Sequence, residues 1–249
     1  MPSSDPSTPR DVARFFDEHQ AGARYRDLKA MTRLQDVAVA SRLNAEAQGG
    51  VLSVGGLWEG YQRGPRMSSV TVLDLSPRML ETYGAGSGVT PVVGDLFTHD
   101  FEAASFDTVV FALILHHVAQ GGWRASEGRI GEALARASRW LRPGGRMFVL
   151  EYCPHPAWMP LQRAALPATR RFLKVVGQPL VVMHPRSFYE RHLARAGLSE
   201  IRGEQIAPPG FDEWAWFPVF MATPWLRMPV KLYPKMHLFE ARKPLTPTS

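Results

Sequence analysis

Five short runs rich in β-branched and aromatic residues, spaced through the first two thirds of the chain, constrain its fold most. The runs are 51–54, 70–73, 90–93, 106–112 and 146–151. They alternate with longer connections, one of which has helical periodicity from Ser126 and ends before Arg142-Pro-Gly-Gly145, a typical stop signal. Alternation of this kind predicts βαβ units, and therefore an α/β fold with a mostly parallel sheet and helices on both faces.

The segments on either side of this alternating core carry other patterns. Residues 1–10 are rich in Pro, Ser and Thr and are typical of a flexible tail, whereas 11–47 have the periodicity of one or two helices. After the fifth strand we expect two helices and then two strands. These lie near 158–176, 187–196, 200–206 and 237–242. We therefore interpret 11–249 as a single domain with a helical cap (11–47), a core (48–152) and a C-terminal part (153–249).

Composition narrows the class of protein. Hydrophobic residues make up 45% of the 249 residues and charged residues 21%, which is typical of a globular protein. The single cysteine, Cys153, excludes an intramolecular disulfide, so we expect a cytoplasmic protein that spans no membrane. The formal net charge of +6 raises nucleic acid as a partner, but the basic residues are spread along the chain, which disfavours it.

Aromatic residues are concentrated between prolines in residues 210–225. The aromatic residues of this segment are Phe211, Trp214, Trp216, Phe217, Phe220 and Trp225. Such a segment can wall an apolar substrate pocket, or it can be a helical insertion that packs on the core. We leave both interpretations open and describe the segment as an aromatic-rich C-terminal insertion.

Polar residues and glycines follow the predicted strands where a ligand would bind. In a parallel sheet, ligands bind beyond the carboxyl ends of the strands, at the point where strand order reverses. A glycine turn starts at Gly55, and carboxylates follow the second and third strands at Asp74 and Asp95. Asp74 is placed to accept both hydroxyls of a ribose, and the fourth strand leads to His116 and His117.

Five motifs in order resemble the class I S-adenosylmethionine-dependent methyltransferases over residues 45–152. The motifs are Asp74-Leu-Ser-Pro-Arg-Met-Leu80, Gly94-Asp95, Phe106-Asp-Thr-Val-Val110, Leu115-His-His-Val118 and Leu141-Arg-Pro-Gly-Gly145. The resemblance implies a Rossmann-like seven-stranded, mostly parallel sheet with a reversed last hairpin, and S-adenosyl-L-methionine as cofactor. Residues 142–152 look particularly like the quinone-biosynthesis and natural-product branches of the family.

The resemblance also implies roles for individual residues. Asp74 would bind the cofactor ribose, Asp95 and Leu96 would lie near the adenine, and the backbone of Gly55 and Gly56 would face the methionine part. The full set of expected cofactor contacts is Tyr25, Gly55, Gly56, Trp58, Asp74, Leu75, Met79, Asp95, Leu96, Ala112 and Leu113. The core 48–152 would then bind the cofactor, and 153–249 would supply the substrate side.

The first motif departs from the family pattern. Ser53 stands where members usually have an acidic residue, and Leu57 stands where they have a glycine. The interval before Asp74 contains Gly64-Pro65, so the helix expected there must be short or broken. Either the site is rebuilt, with Trp58 or Tyr25 closing over the cofactor, or cofactor binding is weakened or lost.

Methyl transfer depends chiefly on alignment, and a hydroxyl or carbon acid also benefits from a base. His116 and His117 are the candidate bases, although either could only shape its loop by bonding to backbone. Glu151 and Tyr152, at the end of the fifth strand, are expected to face the same cavity and orient a substrate hydroxyl. Substrate contacts are further expected from Trp214, Phe217 and Phe220, and no metal ion is expected because adjacent histidines lack a recognised ligand spacing.

The sequence is consistent with three functions. The first is methyl transfer to an oxygen, less favourably a carbon or nitrogen, of a small, largely apolar metabolite. The second keeps the fold but catalyses another reaction, such as a cyclisation or isomerisation, and Ser53 and Leu57 are its distinguishing feature. The third is a non-catalytic RNA-binding protein. The oligomeric state is not specified by the sequence.

Overall fold

A seven-stranded sheet lies at the centre of this computed structural model. The structure describes Val12 and residues 23–83, 87–118, 122–175, 179–206, 216–220, 223–229 and 234–245. Of residues 23–34 and of the segments 216–220 and 223–229, Arg227 excepted, it describes only the backbone.

The sheet consists of seven strands, β1 (Gly49–Val54), β2 (Met67–Asp74), β3 (Val89–Val93), β4 (Phe106–Ala112), β5 (Leu141–Cys153), β6 (Ser199–Gln205) and β9 (Lys235–Arg242). Their order in the sheet is β3-β2-β1-β4-β5-β9-β6. The first five pair in parallel, and β9 runs antiparallel to both β5 and β6. The predicted Rossmann-like sheet with a reversed last hairpin is therefore confirmed.

Helices cover both faces of this sheet, as predicted. They are α1 (Ala23–Glu46), α2 (Pro77–Glu81), α3 (Trp123–Trp140), α4 (Met159–Val175) and α5 (Arg186–Arg195), with single 3-10 turns at Leu115–His117 and Pro156–Trp158. Helix α3 ends at Trp140, directly before the predicted stop signal. No helix forms in residues 55–66, all of which the structure describes, because Gly64-Pro65 interrupts this short connection.

Two apolar cores follow from the alternation of side chains along the central strands. Phe111 of β4 and Val149 of β5 pack with α3 and α5 on one face. Their neighbours Val110 and Phe148 point the other way and pack with Leu43 of α1. This period of two is what a strand buried on both faces requires. The central strands therefore hold the loops at their carboxyl ends on a scaffold that is buried on both faces.

The aromatic-rich segment forms a second, two-stranded sheet. Strands β7 (Trp216–Phe220) and β8 (Thr223–Pro229) pair antiparallel, with Trp216 opposite Pro229 and Phe220 opposite Thr223. The alternative of a helical insertion is therefore wrong, because β-type residues between prolines favour a hairpin over a helix. Trp214 lies outside the described residues, as do the side chains of Phe217 and Phe220.

Among the described residues, no helix has the length and the apolar character that crossing a membrane would require.

Candidate functional site

The glycine turn after β1 lies where strand order reverses, between β1 and β4. Gly55 and Gly56 have φ angles of +79° and +97°, in the left-handed region that favours glycine. The Gly55 N–H donates to the Leu73 carbonyl at 2.8 Å, and a Cβ on Gly55 would lie 1.8 Å from Cδ1 of Ile114. Both backbone conformation and contact with the next loop therefore require glycine at position 55.

Hydroxyl groups order this turn where family members use other residues. Ser53 is fully buried, and its Oγ donates to the Gly56 carbonyl at 2.6 Å. The Leu57 N–H donates to the hydroxyl oxygen of Tyr83 at 2.8 Å. The departures at Ser53 and Leu57 are therefore part of a locally satisfied turn. Of the two outcomes expected from the altered motif, this geometry favours a rebuilt turn.

Asp74 lies at the end of β2, opposite the turn. Its Oδ1 accepts the Ser76 N–H at 2.7 Å, and Ser76 Oγ accepts the Met79 N–H at 3.1 Å and caps α2. A Cβ on Gly56 would lie 3.7 Å from Oδ2 of Asp74 and 3.8 Å from Cε of Met79. The structure thus brings Gly56, Asp74 and Met79 together, with the half-buried Leu75 between Asp74 and Ser76.

The third strand leads to a second carboxylate with local partners. Oδ1 of Asp95 accepts the Phe97 N–H at 2.9 Å. Leu96 packs into the core on the α3 side, and its carbonyl accepts a hydrogen bond from Nε of Arg136 at 3.0 Å. The expected adenine contact from Leu96 therefore has little side-chain surface to use, because that side chain is 7% exposed.

Trp58 also lies in a core. Its side chain is 3% exposed, its indole N–H donates to Oδ1 of Asn44 at 2.9 Å, and its ring packs edge-on against Tyr61. Trp58 thus attaches the glycine turn to α1, and the expected closure of its ring over a cofactor does not fit this burial. The other residue expected to close the site, Tyr25, lies in α1, where only the backbone is described.

A buried carboxylate and an imidazole meet at the carboxyl ends of β4 and β5. Glu151 is fully buried, and its Oε1 accepts the Leu115 N–H at 2.6 Å and the His116 N–H at 3.4 Å. Its Oε2 lies 2.7 Å from Nδ1 of His116. A carboxylate acceptor makes Nδ1 the protonated nitrogen of a neutral ring, so Nε2 is the nitrogen that can take a proton.

The ring of His117 lies beside that of His116, with centroids 4.1 Å apart and the two planes tilted by 46°. Burial, together with the neighbouring His116, lowers the pKa of His117 well below its ordinary value. His117 is therefore neutral throughout the physiological range, a state suited to hydrogen bonding with a substrate. The preceding loop is strained, because Leu113 has a φ of +57° while its N–H donates to the Leu150 carbonyl at 2.9 Å.

The fifth strand corrects one expectation about this cavity. Glu151 and Tyr152 were expected to face the same cavity, but neighbouring residues of a strand point to opposite faces. Glu151 turns to the α3 face, where His116 lies, whereas Tyr152 packs against the core on the α1 face. Ala112 and Leu113 pack on that same α1 side. Tyr152 therefore has no direct route to the carboxylate that holds His116.

Three residues that the sequence did not single out contact the site or border it. Ile114 packs against Gly55, and Tyr83 binds the glycine turn. Tyr189 of α5 is fully buried, and its pKa is raised well above the ordinary value by burial and by Glu151 and Cys153. Only Ile114 adjoins one of the five motifs, directly before Leu115-His-His-Val118, so only its position carried a signal in the sequence.

A family model described as a methyltransferase domain matches residues 52–149, the segment that carries β1, β4 and most of β5. This matched segment is therefore similar to a methyltransferase domain. The ubiquinone/menaquinone biosynthesis C-methyltransferase UbiE of Dinoroseobacter shibae is 30% identical over 164 residues, 61% of this chain. The match covers 60% of that relative's length.

Solved structures of methyltransferases share the fold of this chain. A chain of the complex between the Haloferax volcanii Trm112 methyltransferase activator and a methyltransferase superposes with a TM-score of 0.66 and 18% identity, covering 96% of this chain and 100% of its own. The 1,6-didemethyltoxoflavin-N1-methyltransferase of Burkholderia thailandensis, solved with S-adenosylhomocysteine, gives a TM-score of 0.56 and 17% identity, covering 95% and 91%. At these identities, the likeness establishes the fold alone.

Proposed function

We propose that this protein transfers a methyl group from S-adenosyl-L-methionine to a hydroxyl oxygen, or to an acidic carbon, of a small, largely apolar metabolite. The single observation that carries the proposal is the buried Glu151–His116 pair at the carboxyl ends of β4 and β5. It supplies an oriented base beside the position where strand order reverses. A base is useful to an acceptor that must lose a proton, and much less useful to an amine with a free lone pair.

The residues around the glycine turn fit the cofactor. Only glycine suits position 56, where a Cβ would occupy space between Tyr83 and the Asp74 carboxylate. Asp74 would hold the ribose, Met79 and Leu75 would line the same recess, and Asp95 would meet the adenine amine. The backbone of Gly55 and Gly56 would approach the methionine part. Bound there, the cofactor supplies an electrophilic methyl group on a good leaving group.

The protein's own groups would handle the proton. The acceptor O–H or C–H gives its proton to Nε2 of His116 as the acceptor forms its new bond to the methyl carbon. Glu151 keeps the proton on Nδ1 and stabilises the imidazolium that results. The neutral His117 would hydrogen bond to the acceptor or to a neighbouring substituent. Glu151 is thus a positioning residue, and His116 is the catalytic residue of this proposal.

The class of substrate is an expectation from the sequence and from the relative's name. Trp214, Phe217 and Phe220 of the aromatic-rich segment would be the substrate contacts, and an apolar wall would favour an apolar molecule. The relative named for ubiquinone and menaquinone biosynthesis is a C-methyltransferase, which suits an acidic aromatic carbon as acceptor. Phenols and quinols are therefore the first molecules to test as methyl acceptors.

Calorimetric titration with S-adenosylhomocysteine tests the cofactor site without any substrate. Wild-type protein should bind at micromolar concentration, and Asp74→Asn should weaken binding by about 10- to 100-fold, because it removes charged hydrogen bonds to the ribose. Asp100→Asn is the matched control, since the Asp100 side chain is 70% exposed and lies on the loop before β4. Absence of binding by the wild type would contradict methyl transfer and favour another reaction on the same fold.

A screen of phenols and quinols, with S-adenosylhomocysteine release as the readout, tests the base. His116→Gln should lower kcat by about 10²- to 10⁴-fold, the usual contribution of a general base, and should leave cofactor binding unchanged. His155→Gln serves as the control, because His155 is exposed and only caps a 3-10 turn. Full activity of His116→Gln on every accepted substrate would overturn the assignment.

A further inference from the structure

Among the described residues, helix α4 packs along one narrow stripe, against Trp123, Leu180 and Val182. Its buried residues, Met159, Leu166 and Leu173, recur every seven positions. At 100° per residue, a second apolar stripe points away from the core. It consists of Leu161, Ala164, Ala168, Phe172 and Val175, and Trp158 continues it in the preceding 3-10 turn. Leu161 is 58% exposed and Val175 is 84% exposed, so this stripe is not part of either core.

The charges of α4 all have one sign. Arg163, Arg170, Arg171 and Lys174 lie on one flank of the exposed apolar stripe, and no acidic residue occurs from Met159 to Val175. Arg163 reaches Glu127 of α3 at 3.6 Å and lies over the ring of Trp123. An exposed apolar stripe with a cationic border is the pattern of a helix that lies in the interface of an anionic membrane.

We propose that α4 docks on an anionic lipid surface, with Leu161 and Val175 inserted between the headgroups and the basic residues on the phosphates. Charge complementarity selects this occupant. A second copy of the chain would bring two such basic helices together, with no carboxylate on either to offset them. A lipid surface supplies negative charge and an apolar layer side by side. The basic flank of α4 would contact the charge, and its apolar stripe would contact the apolar layer.

The docking helix is connected to the proposed catalytic turn. The Gln162 amide donates to the Met183 carbonyl at 3.2 Å, and the neighbouring Val182 N–H donates to the His116 carbonyl at 3.1 Å. Helix α4 therefore lies next to the loop that carries His116. An apolar substrate dissolved in the bilayer could then enter the site without crossing water. This last consequence rests on the proposed function, whereas lipid binding itself does not.

Co-sedimentation with vesicles of one part phosphatidylglycerol and two parts phosphatidylcholine tests the docking. Full-length protein should bind these vesicles, bind pure phosphatidylcholine weakly, and release in high salt. Reversal of Arg171 and Lys174 to Glu should lower partitioning by at least about 25-fold, because each basic residue near an anionic surface contributes about fivefold. Leu161→Asp should lower partitioning by about tenfold, through the loss of inserted apolar area.

Two control variants match these changes in charge and exposure. Val37→Asp alters a 59% exposed residue of α1, and reversal of Arg139 and Arg195 makes the same charge change on α3 and α5. Both controls should bind vesicles like the wild type. Wild-type binding that does not exceed that to pure phosphatidylcholine would overturn the proposal, as would equal losses in the controls. So would self-association that Leu161→Asp abolishes in a sedimentation-velocity run without vesicles.

Cofactor titration of the same variants separates this proposal from the proposed function. The α4 variants should bind S-adenosylhomocysteine as the wild type does, since Leu161, Arg171 and Lys174 are exposed and lie outside the glycine turn and its described partners. A protein that binds vesicles but not cofactor would keep the docking proposal and refute methyl transfer. The reverse result would refute docking alone.

Discussion

Replacement of Glu151 tests whether this carboxylate holds the catalytic turn. Glu151→Gln keeps an oxygen that accepts the Leu115 N–H. Its NH₂ group would then face Nδ1 of His116, so two hydrogen-bond donors would oppose each other. One charged hydrogen bond contributes about 1.5–3 kcal/mol, so we expect a loss of about 2 kcal/mol in the free energy of unfolding. Glu151→Ala leaves the N–H groups of Leu115 and His116 and the ring nitrogen buried without a partner, and should cost about 4 kcal/mol.

Urea unfolding, followed by tryptophan fluorescence, measures these losses, and the midpoint of thermal unfolding provides a second readout. For a chain of this size, about 2 kcal/mol corresponds to a fall of about 4–8 °C in Tm. Glu132→Gln is the control, because the exposed Glu132 forms only a surface ion pair with Arg129 and should contribute less than about 1 kcal/mol. A cost below about 1 kcal/mol for Glu151→Ala would refute the idea that these contacts hold the turn.

Three further substitutions test the surroundings of the site. Ser53→Asp should destabilise the protein by at least about 3 kcal/mol in urea unfolding, because a buried carboxylate cannot donate to the Gly56 carbonyl. Ser53→Ala should cost about 1 kcal/mol. Unchanged stability of Ser53→Asp would refute the role of Ser53 in ordering the glycine turn. Gly55→Ala should lower the affinity for S-adenosylhomocysteine and the Tm, since its Cβ would collide with Ile114; wild-type values for both would be evidence against the glycine requirement. His184 is buried and stacks on Phe188, and burial lowers the pKa of His184 to about 3. The free energy of unfolding that the neutral His184 contributes is therefore present above pH 6.5 and is lost as the pH falls. His184→Phe should therefore lose about 2–3 kcal/mol less stability than the wild type between pH 6.5 and 4.5, and an equal loss in both proteins would contradict the assigned pKa direction.

The sequence predicted the sheet and the strand-end positions well because both depend on local patterns. Strands buried on two faces read as short runs of β-branched and aromatic residues, and each of the five predicted core strands overlaps an observed one. The same holds for the stop after α3 and for the position of Asp74 at the end of β2. These features are determined by neighbouring residues along the chain, so the sequence carries them directly.

Three properties of the site residues depended on tertiary structure: how deeply each is buried, which face of the sheet its side chain is on, and which side chains it contacts. The hydrogen bonds between Glu151 and the His116 turn join residues more than thirty positions apart, and no local pattern encodes which side chain meets which. Trp58 was expected to contact the cofactor, but the approach of α1 buries it against Asn44. The aromatic-rich segment became a hairpin, although its composition suited a helical insertion as well.

The physical reason is the difference between propensity and packing. By itself, the sequence determined a parallel α/β sheet, a glycine turn and carboxylates at the strand ends, because each follows from backbone preference and apolar periodicity. Only the tertiary structure decided that Ser53 stabilises that turn, that Glu151 and Tyr152 face opposite sides, and that Leu161 and Val175 of α4 stay exposed. Those outcomes depend on which surfaces come together when distant elements pack.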